Sequence, residues 1–182
     1  MISTETKPRI YVACLASYNS GILHGAWFDA STDVDEMQAA INAVIESSPV
    51  PDAEEWAFHD YEGFGRLHEW QCLDSIAEMV EMYEQYGQGA VVAYCEHHDG
   101  WNESHFTESY QGVCRNYEWD RKCWLLTAFY DGIHLTGSDL AFFEQYADDD
   151  KIAREMGWDY TFVDHHQKGV NGDGVAHIFR DC

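Results

Sequence analysis

Residues 25–65, GAWFDASTDVDEMQAAINAVIESSPVPDAEEWAFHDYEGFG, decide how the chain is read. They hold ten acids, Asp29, Asp33, Asp35, Glu36, Glu46, Asp52, Glu54, Glu55, Asp60 and Glu62, and no Lys or Arg. Trp27, Phe28, Trp56, Phe58 and Tyr61 stand among them, which is not the composition of a disordered acidic tail. Residues 25–30 read as a short strand. Ser31 and Thr32 offer an N-cap, and Asp33, Asp35 and Glu36 load a first helical turn, where the dipole favours negative charge. Val34, Met37, Ile41, Val44 and Ile45 then recur at helical spacing, predicting an amphipathic helix. It should stop at Ser47-Ser48-Pro49, because proline disfavours helix in the residue before it. Residues 55–61 alternate aromatics with acids and predict another strand. Trp27, Trp56, Phe58 and Tyr61 are expected to form the core that fixes the carboxylates in space.

Upstream, residues 9–15 (RIYVACL) predict a strand buried on at least one side, and residues 17–21 (SYNSG) a turn. Downstream, Gly63 and Gly65 mark a first domain boundary. Glu69 follows, and then Cys72, Ile76, Met79, Val80 and Tyr83 form an apolar stripe over residues 71–85. Asp74, Glu78, Glu81 and Glu84 lie on the other side of that helix. Like charges four residues apart destabilise a helix by roughly 0.2–0.5 kcal/mol per pair, and no base stands between Arg66 and Arg115 to offset them. Residues 90–95 read as a short helix or a strand, with helix favoured, and residues 102–110 predict a short helix ended by Gly112.

Residues 10–114 hold one base against nineteen acids, whereas residues 115–182 hold seven against thirteen. This shift near Gly112 marks a second boundary, giving expected domains of 1–65 (α+β), 66–112 (acidic, helical) and 113–182 (α+β). In the last, residues 124–130 are strongly apolar, Ser138 caps a helix to Tyr146, and Asp148-Asp149-Asp150 open another to about Met156. Residues 160–163 and 175–179 read as closing strands, with Asn171-Gly172 and Asp173-Gly174 as turns.

Across its 182 residues the chain carries 33 acids against 10 bases, a formal −23. Charge on that scale repels nucleic acid, anionic lipid and anionic substrates, so a partner should be basic. No apolar run approaches the roughly 18–20 residues that span a bilayer, and the first residues lack a signal-peptide pattern. The six cysteines show no paired spacing, which fits free thiols in a reducing cytoplasm. Dinucleotide, P-loop, GxSxG and HExxH motifs are all missing. His97-His98 and His165-His166 lack the spacing of zinc ligands, and the acidic runs lack the glycine of a calcium loop. No metal, cofactor or catalytic residue is therefore expected. Three other readings stay open: a small metal-dependent hydrolase hidden among the acids, an acidic adaptor for some basic protein, and acidity as an adaptation to salt.

The concentration of acid in residues 10–114 favours a sharper reading. A DNA duplex carries one negative charge per ~1.7 Å of axis. Twenty-three charges at that spacing would match about 40 Å of duplex. A rigid acidic body of that kind could fill the DNA channel of a nucleic-acid enzyme.

Three stretches carry a resemblance to a known family: residues 9–30 (RIYVACLASYNSGILHGAWFDA), the capped helix from Asp33, and residues 54–65 (EEWAFHDYEGFG). They resemble the N-terminal signature of the ArdA antirestriction proteins. Phe106, Glu108, Tyr110 and Gly112 are similar to the F-x-E-x-Y-x-G core of that family's antirestriction motif, and residues 159–163 and 177–180 to its C-terminal end. The resemblance implies a non-enzymatic homodimer built from an elongated row of three small domains. It also implies a mimic of bent B-form DNA, carried by mobile elements, that occupies the DNA-binding groove of type I restriction-modification enzymes. The acids from Asp29 to Glu84 would then stand in for phosphates.

Overall fold

Alternation along Arg9–Cys14 (β1) buries Ile10, Val12 and Cys14 completely. The computed structural model describes residues 7–67, 71–98, 100–165 and 174–181, and the chain divides into two compact units, Met1–Phe106 and Thr107–Cys182. In the first, β1 is the middle of an antiparallel sheet between Gly25–Asp29 (β2) and Trp56–Glu62 (β3). Directly opposed residues of antiparallel strands share a face. Ile10 faces Phe28 and Tyr61, Val12 faces Ala26 and Phe58, and Cys14 faces Trp56. Val34–Glu46 (α2) covers β1 and β2 with Met37, Ile41 and Val44, spaced four and three apart and all buried. Each such side chain contributes roughly 1.5–3 kcal/mol on burial.

The opposite face of this sheet carries Arg9, Tyr11, Trp27, Asp29, Asp60 and Glu62. Between Tyr11 and Val12 the β3 partner moves from Asp60 to Phe58, so His59 is the extra residue of a bulge. Gly25 is required by close approach. A Cβ there would sit 2.4 Å from the Val12 carbonyl and 2.6 Å from the Tyr11 hydroxyl. Because backbone cannot move aside as a side-chain tip can, Gly25→Ala is expected to cost about 1–3 kcal/mol, read as a lower thermal midpoint.

Several expectations need correction. Residues 17–21 are not a plain turn: Leu15–Asn19 (α1) forms one helical turn, with the Ser20 amide donating to the Ala16 and Ser17 carbonyls, before Gly21 breaks out at φ +74°. Ser31 and Thr32 do not cap α2. Asp33 does, its carboxylate accepting the Glu36 amide at 3.0 Å. Trp27, Trp56, Phe58 and Tyr61 are half-buried, and the fully buried side chains include Ile10, Val12, Cys14, Met37, Ile41 and Phe64. Trp27 lies on the face away from α2, and Trp56, Phe58 and Tyr61 stand on β3, whereas α2 packs on β1 and β2.

Leu73–Tyr86 (α3) buries Leu73, Ile76, Ala77, Met79 and Met82, whereas Cys72 is its exposed N-cap and Val80 and Tyr83 are half-buried. It packs on α2 and on Gln88–His97 (α4), a helix with every residue from Gln88 to Cys95 buried. The expected short helix at 90–95 is thus longer, extended back to Gln88. Glu103–Ser109 (α5) follows, with the Asn102 side chain accepting the His105 amide at 2.8 Å. Gly112 does not end this helix. Strand Tyr110–Arg115 (β4) starts directly after Ser109 and takes Gly112 through its interior at φ +125°, where the register with the next strand shifts.

In the second unit, Val175–Arg180 (β6) lies between β4 and Tyr160–His165 (β5), antiparallel to both, and buries Ala176, Ile178 and Phe179. Glu118–Gly132 (α6) packs on β4 and on Asp149–Met156 (α8), with Leu125 buried. Asp148 caps α8 by accepting the Lys151 amide. Ser138–Tyr146 (α7) starts from Gly137 rather than from a Ser138 cap and has no buried residue. The architecture is α+β with two small antiparallel sheets. The turns expected at Asn171-Gly172 and Asp173-Gly174 fall outside the described residues except for Gly174.

Candidate functional site: an anionic surface on the first unit

Charge on the first unit is held by three kinds of local structure. On α2, Asp35, Glu36 and Glu46 are exposed on the side away from Met37, Ile41 and Val44, as the helical repeat dictates. Asp33 and Glu36 are tied into the cap: Ser31 accepts the Asp33 amide at 3.1 Å and donates to the Glu36 carboxylate at 3.2 Å. The connection from α2 to β3 exposes Asp52, Glu54 and Glu55. Asp52 has φ +56°, a left-handed conformation that aspartate tolerates better than most residues. On α3, Asp74, Glu81 and Glu84 are exposed.

The cap at Asp33 separates charge from fold. Asp33→Ala should cost about 0.5–2 kcal/mol of stability. Asp33→Ser should restore most of it while still lacking the charge, as thermal unfolding of the two variants would read.

Other members of the expected set are engaged. Asp29 pairs with Lys7 and Arg9, and Arg9 also reaches Glu62 at 3.8 Å while its guanidinium lies 5.3 Å from the centre of the Trp27 ring. Tyr11 packs against the same ring at 5.5 Å. Asp60 accepts its neighbour's amide, from Tyr61, at 2.8 Å. Glu78 is half-buried and accepts the Trp101 indole N–H at 3.2 Å. Glu69 lies outside the described residues. Sequence reasoning missed the Arg9 pairs, because nothing in residues 1–9 announces a register that sets Arg9 opposite both Asp29 and Glu62. It also missed Glu96, exposed near the end of α4, because a helix buried all round from Gln88 to Cys95 gives no periodic signal.

The F-x-E-x-Y-x-G residues divide between the units. Phe106 is fully buried in the first, within 5.5 Å of the rings of Tyr86, Tyr94 and Trp101. Glu108 is exposed at the start of the second unit. Tyr110 packs on Phe179 and shares a hydrogen bond with His177 at 3.3 Å. Two of these four residues are therefore packing residues, and Gly112 meets a backbone need.

Several titratable groups of catalytic type are enclosed, whereas His59, His97 and His134 are exposed. Burial raises the Tyr83 hydroxyl far above its ordinary value and pushes both Tyr94 and Cys95 up to about 12. Burial also raises the Cys14 thiol, but hydrogen bonds with Ser48 and Ser17 and from the Ala16 backbone outweigh it and bring the thiol to about 7. Cys14 itself is fully buried beneath the sheet's helix-covered face. His97, His98 and His105 form a ring-contact cluster with Tyr94, whose hydroxyl shares a hydrogen bond with His105 at 3.1 Å. Among the described residues, no group of three or more His, Cys, Asp or Glu could hold a metal ion. His166 and the side chain of His165 lie outside them. No helix among the described residues is long and apolar enough to cross a membrane.

These features define an acidic α+β protein that holds carboxylates on ordered helices and strands and exposes them to solvent. More narrowly, residues 10–169 match the family model for the antirestriction protein ArdA, and the chain belongs to that family. It is an antirestriction protein, and the family acts on restriction-modification enzymes. A search of curated proteins returns no match.

Proposed function

We propose that this protein inhibits type I restriction-modification enzymes by occupying their DNA-binding groove as a mimic of B-form DNA, protecting incoming mobile-element DNA in the cytoplasm. One observation carries the reading. Asp35, Glu46, Asp52, Glu54, Glu55, Asp74, Glu81 and Glu84 are exposed and, among the described residues, hold no ion pair or side-chain hydrogen bond. A fold seeking stability alone would intersperse bases there, since like charges at helical spacing cost energy. Their negative charge is thus left for a partner, and a groove shaped for DNA is lined with the cations that would answer it.

In this reading residues 1–65, 66–112 and 113–182 act as three successive segments of the mimic, and the protein works as a homodimer. The exposed Phe142 and Tyr146 of α7, packed on each other at 4.9 Å, are apolar area that a second copy would cover. Sedimentation at micromolar concentration should give twice the monomer mass of 20.9 kDa.

The salt dependence of binding to a type I enzyme tests the mimicry. Exposed charges more than about 8–10 Å apart are largely screened at 0.1–0.15 M salt. The dissociation constant should therefore rise on the order of 10²-fold or more from 50 to 300 mM salt, as with multivalent phosphate contacts. A constant that stays flat across this range would refute the electrostatic account.

A further inference from the structure

The acids of the sheet and of α3 belong to different layers, and the chain passes between them through Gly63–Leu67. A run of Gly-Phe-Gly at that point marks a domain boundary in the sequence, yet the structure ties it down from both sides. The Gly63 carbonyl accepts two part-buried hydrogen bonds, from the Tyr83 hydroxyl of α3 at 2.8 Å and from the Gln88 side-chain amide of α4 at 2.9 Å. The Tyr61 hydroxyl, at the end of β3, donates to the Leu67 carbonyl at 3.3 Å and accepts the Leu67 amide at 3.2 Å, closing the loop on itself. Between these ties Phe64 is fully buried, its ring 5.9 Å from that of Tyr83. Gly65, at φ +72°, brings the backbone so close to α4 that a Cβ would sit 2.9 Å from the Val92 carbonyl.

Exposed carboxylates repel one another and do not set their own spacing. The separation between Asp60 or Glu62 on β3 and Asp74, Glu81 or Glu84 on α3 depends on uncharged groups at this junction. A carbonyl oxygen has two lone pairs, and here α3 and α4 each fill one. Burial keeps the Tyr83 hydroxyl protonated, so it stays a donor.

We propose that Tyr83, Gln88 and Tyr61 are positioning residues for partner binding: they latch the Gly63–Leu67 junction so that the sheet acids and the α3 acids meet the partner at one fixed spacing. The inference rests on the function proposed above. Partner recognition would then depend on three residues that contribute no charge, and the Gly-Phe-Gly segment would act as a rigid joint.

Two variants test it, Tyr83→Phe, which removes one hydroxyl and keeps the ring, and Tyr83→Phe combined with Gln88→Leu. Both leave the net charge unchanged. Ile41→Val, in the α2 core, serves as a stability control. Amide hydrogen exchange on the full chain should accelerate at least tenfold at Gly63–Leu67 in the double variant while α2 stays protected. Titrated against a type I restriction enzyme cleaving unmodified DNA, the same variant should inhibit at least fivefold less well, with Tyr83→Phe intermediate. Ile41→Val should inhibit like the wild type even where its thermal midpoint falls as far. Unchanged junction exchange would overturn the latch, and faster exchange with full inhibition would overturn its positioning role. A wild-type chain that leaves cleavage untouched would refute the proposed function instead, and the exchange measurement, which needs no enzyme, would still decide whether the latch fixes the junction.

Discussion

Replacing Asp35, Glu46, Asp52, Glu54, Glu55, Asp74, Glu81 and Glu84 together by their amides is expected to abolish inhibition of a type I restriction enzyme, while any one replacement changes it little. The eight are exposed and carry no ion pair or side-chain hydrogen bond among the described residues, so their neutralisation removes charge without removing a contact. The formal net charge moves from −23 to −15, eight units. An exposed ion pair contributes about 0.2–1 kcal/mol. Each single change therefore costs at most about fivefold in affinity, whereas eight acting together cost roughly 2–8 kcal/mol, on the order of 10- to 10⁶-fold. Stability should change little, because relief of like-charge pairs on α3 is offset by the loss of Asp35 and Asp74 from the first turns of α2 and α3, where the dipole favours them. Thermal unfolding recorded beside the inhibition titration separates these effects. A single Asp→Asn or Glu→Gln in this set that removed all activity would point to catalysis or to metal binding.

Phe64→Ala is the second large expectation. Phe64 is fully buried beside Tyr83, and deletion of such a ring costs about 3–5 kcal/mol. Every charge is kept, yet inhibition should fall by at least tenfold, because the acids on β3 and α3 would no longer hold one spacing. Circular dichroism and thermal unfolding should show a folded first unit with a midpoint lowered by roughly 10 °C or more. Full potency in a loosened variant would show that charge without shape is enough.

Local structure was legible where periodicity and burial coincide. β1, β2, α2 and β3 fall within a residue or two of where residues 9–62 place them, since Met37, Ile41 and Val44 write a helical stripe and Ile10, Val12 and Cys14 a strand. Identity was legible for a different reason: residues 9–65 resemble a family signature, and the family match covers 10–169.

What failed was anything set by tertiary contact. Large aromatics suggested a core in Trp27, Trp56, Phe58 and Tyr61, but α2 covers β1 and β2, leaving the β3 rings half-buried and Trp27 on the opposite face of the sheet. The cap of α2 passed from Ser31 or Thr32 to Asp33, because Ser31 already serves Asp33 and Glu36. Gly112 looked like a terminator and is the irregular point of a strand, where positive φ lets the register shift. The α3 stripe was misplaced at its ends, where Cys72 caps instead of packing and Leu73 takes the buried place. In the candidate site, exposure of the helical acids followed from period alone. The pairing of Asp29 and Glu62 with Arg9, and of Glu78 with Trp101, needed the fold.

The most direct test adds the purified full chain in increasing amounts to a type I restriction enzyme and unmodified DNA, at fixed low salt, and follows cleavage. Cleavage should fall to zero as the protein approaches stoichiometry with the enzyme, and raising the DNA concentration should restore it, as competition for one groove requires. Cleavage that persists at a large excess of the protein, or inhibition that added DNA cannot relieve, would contradict the proposal that this protein takes the place of DNA.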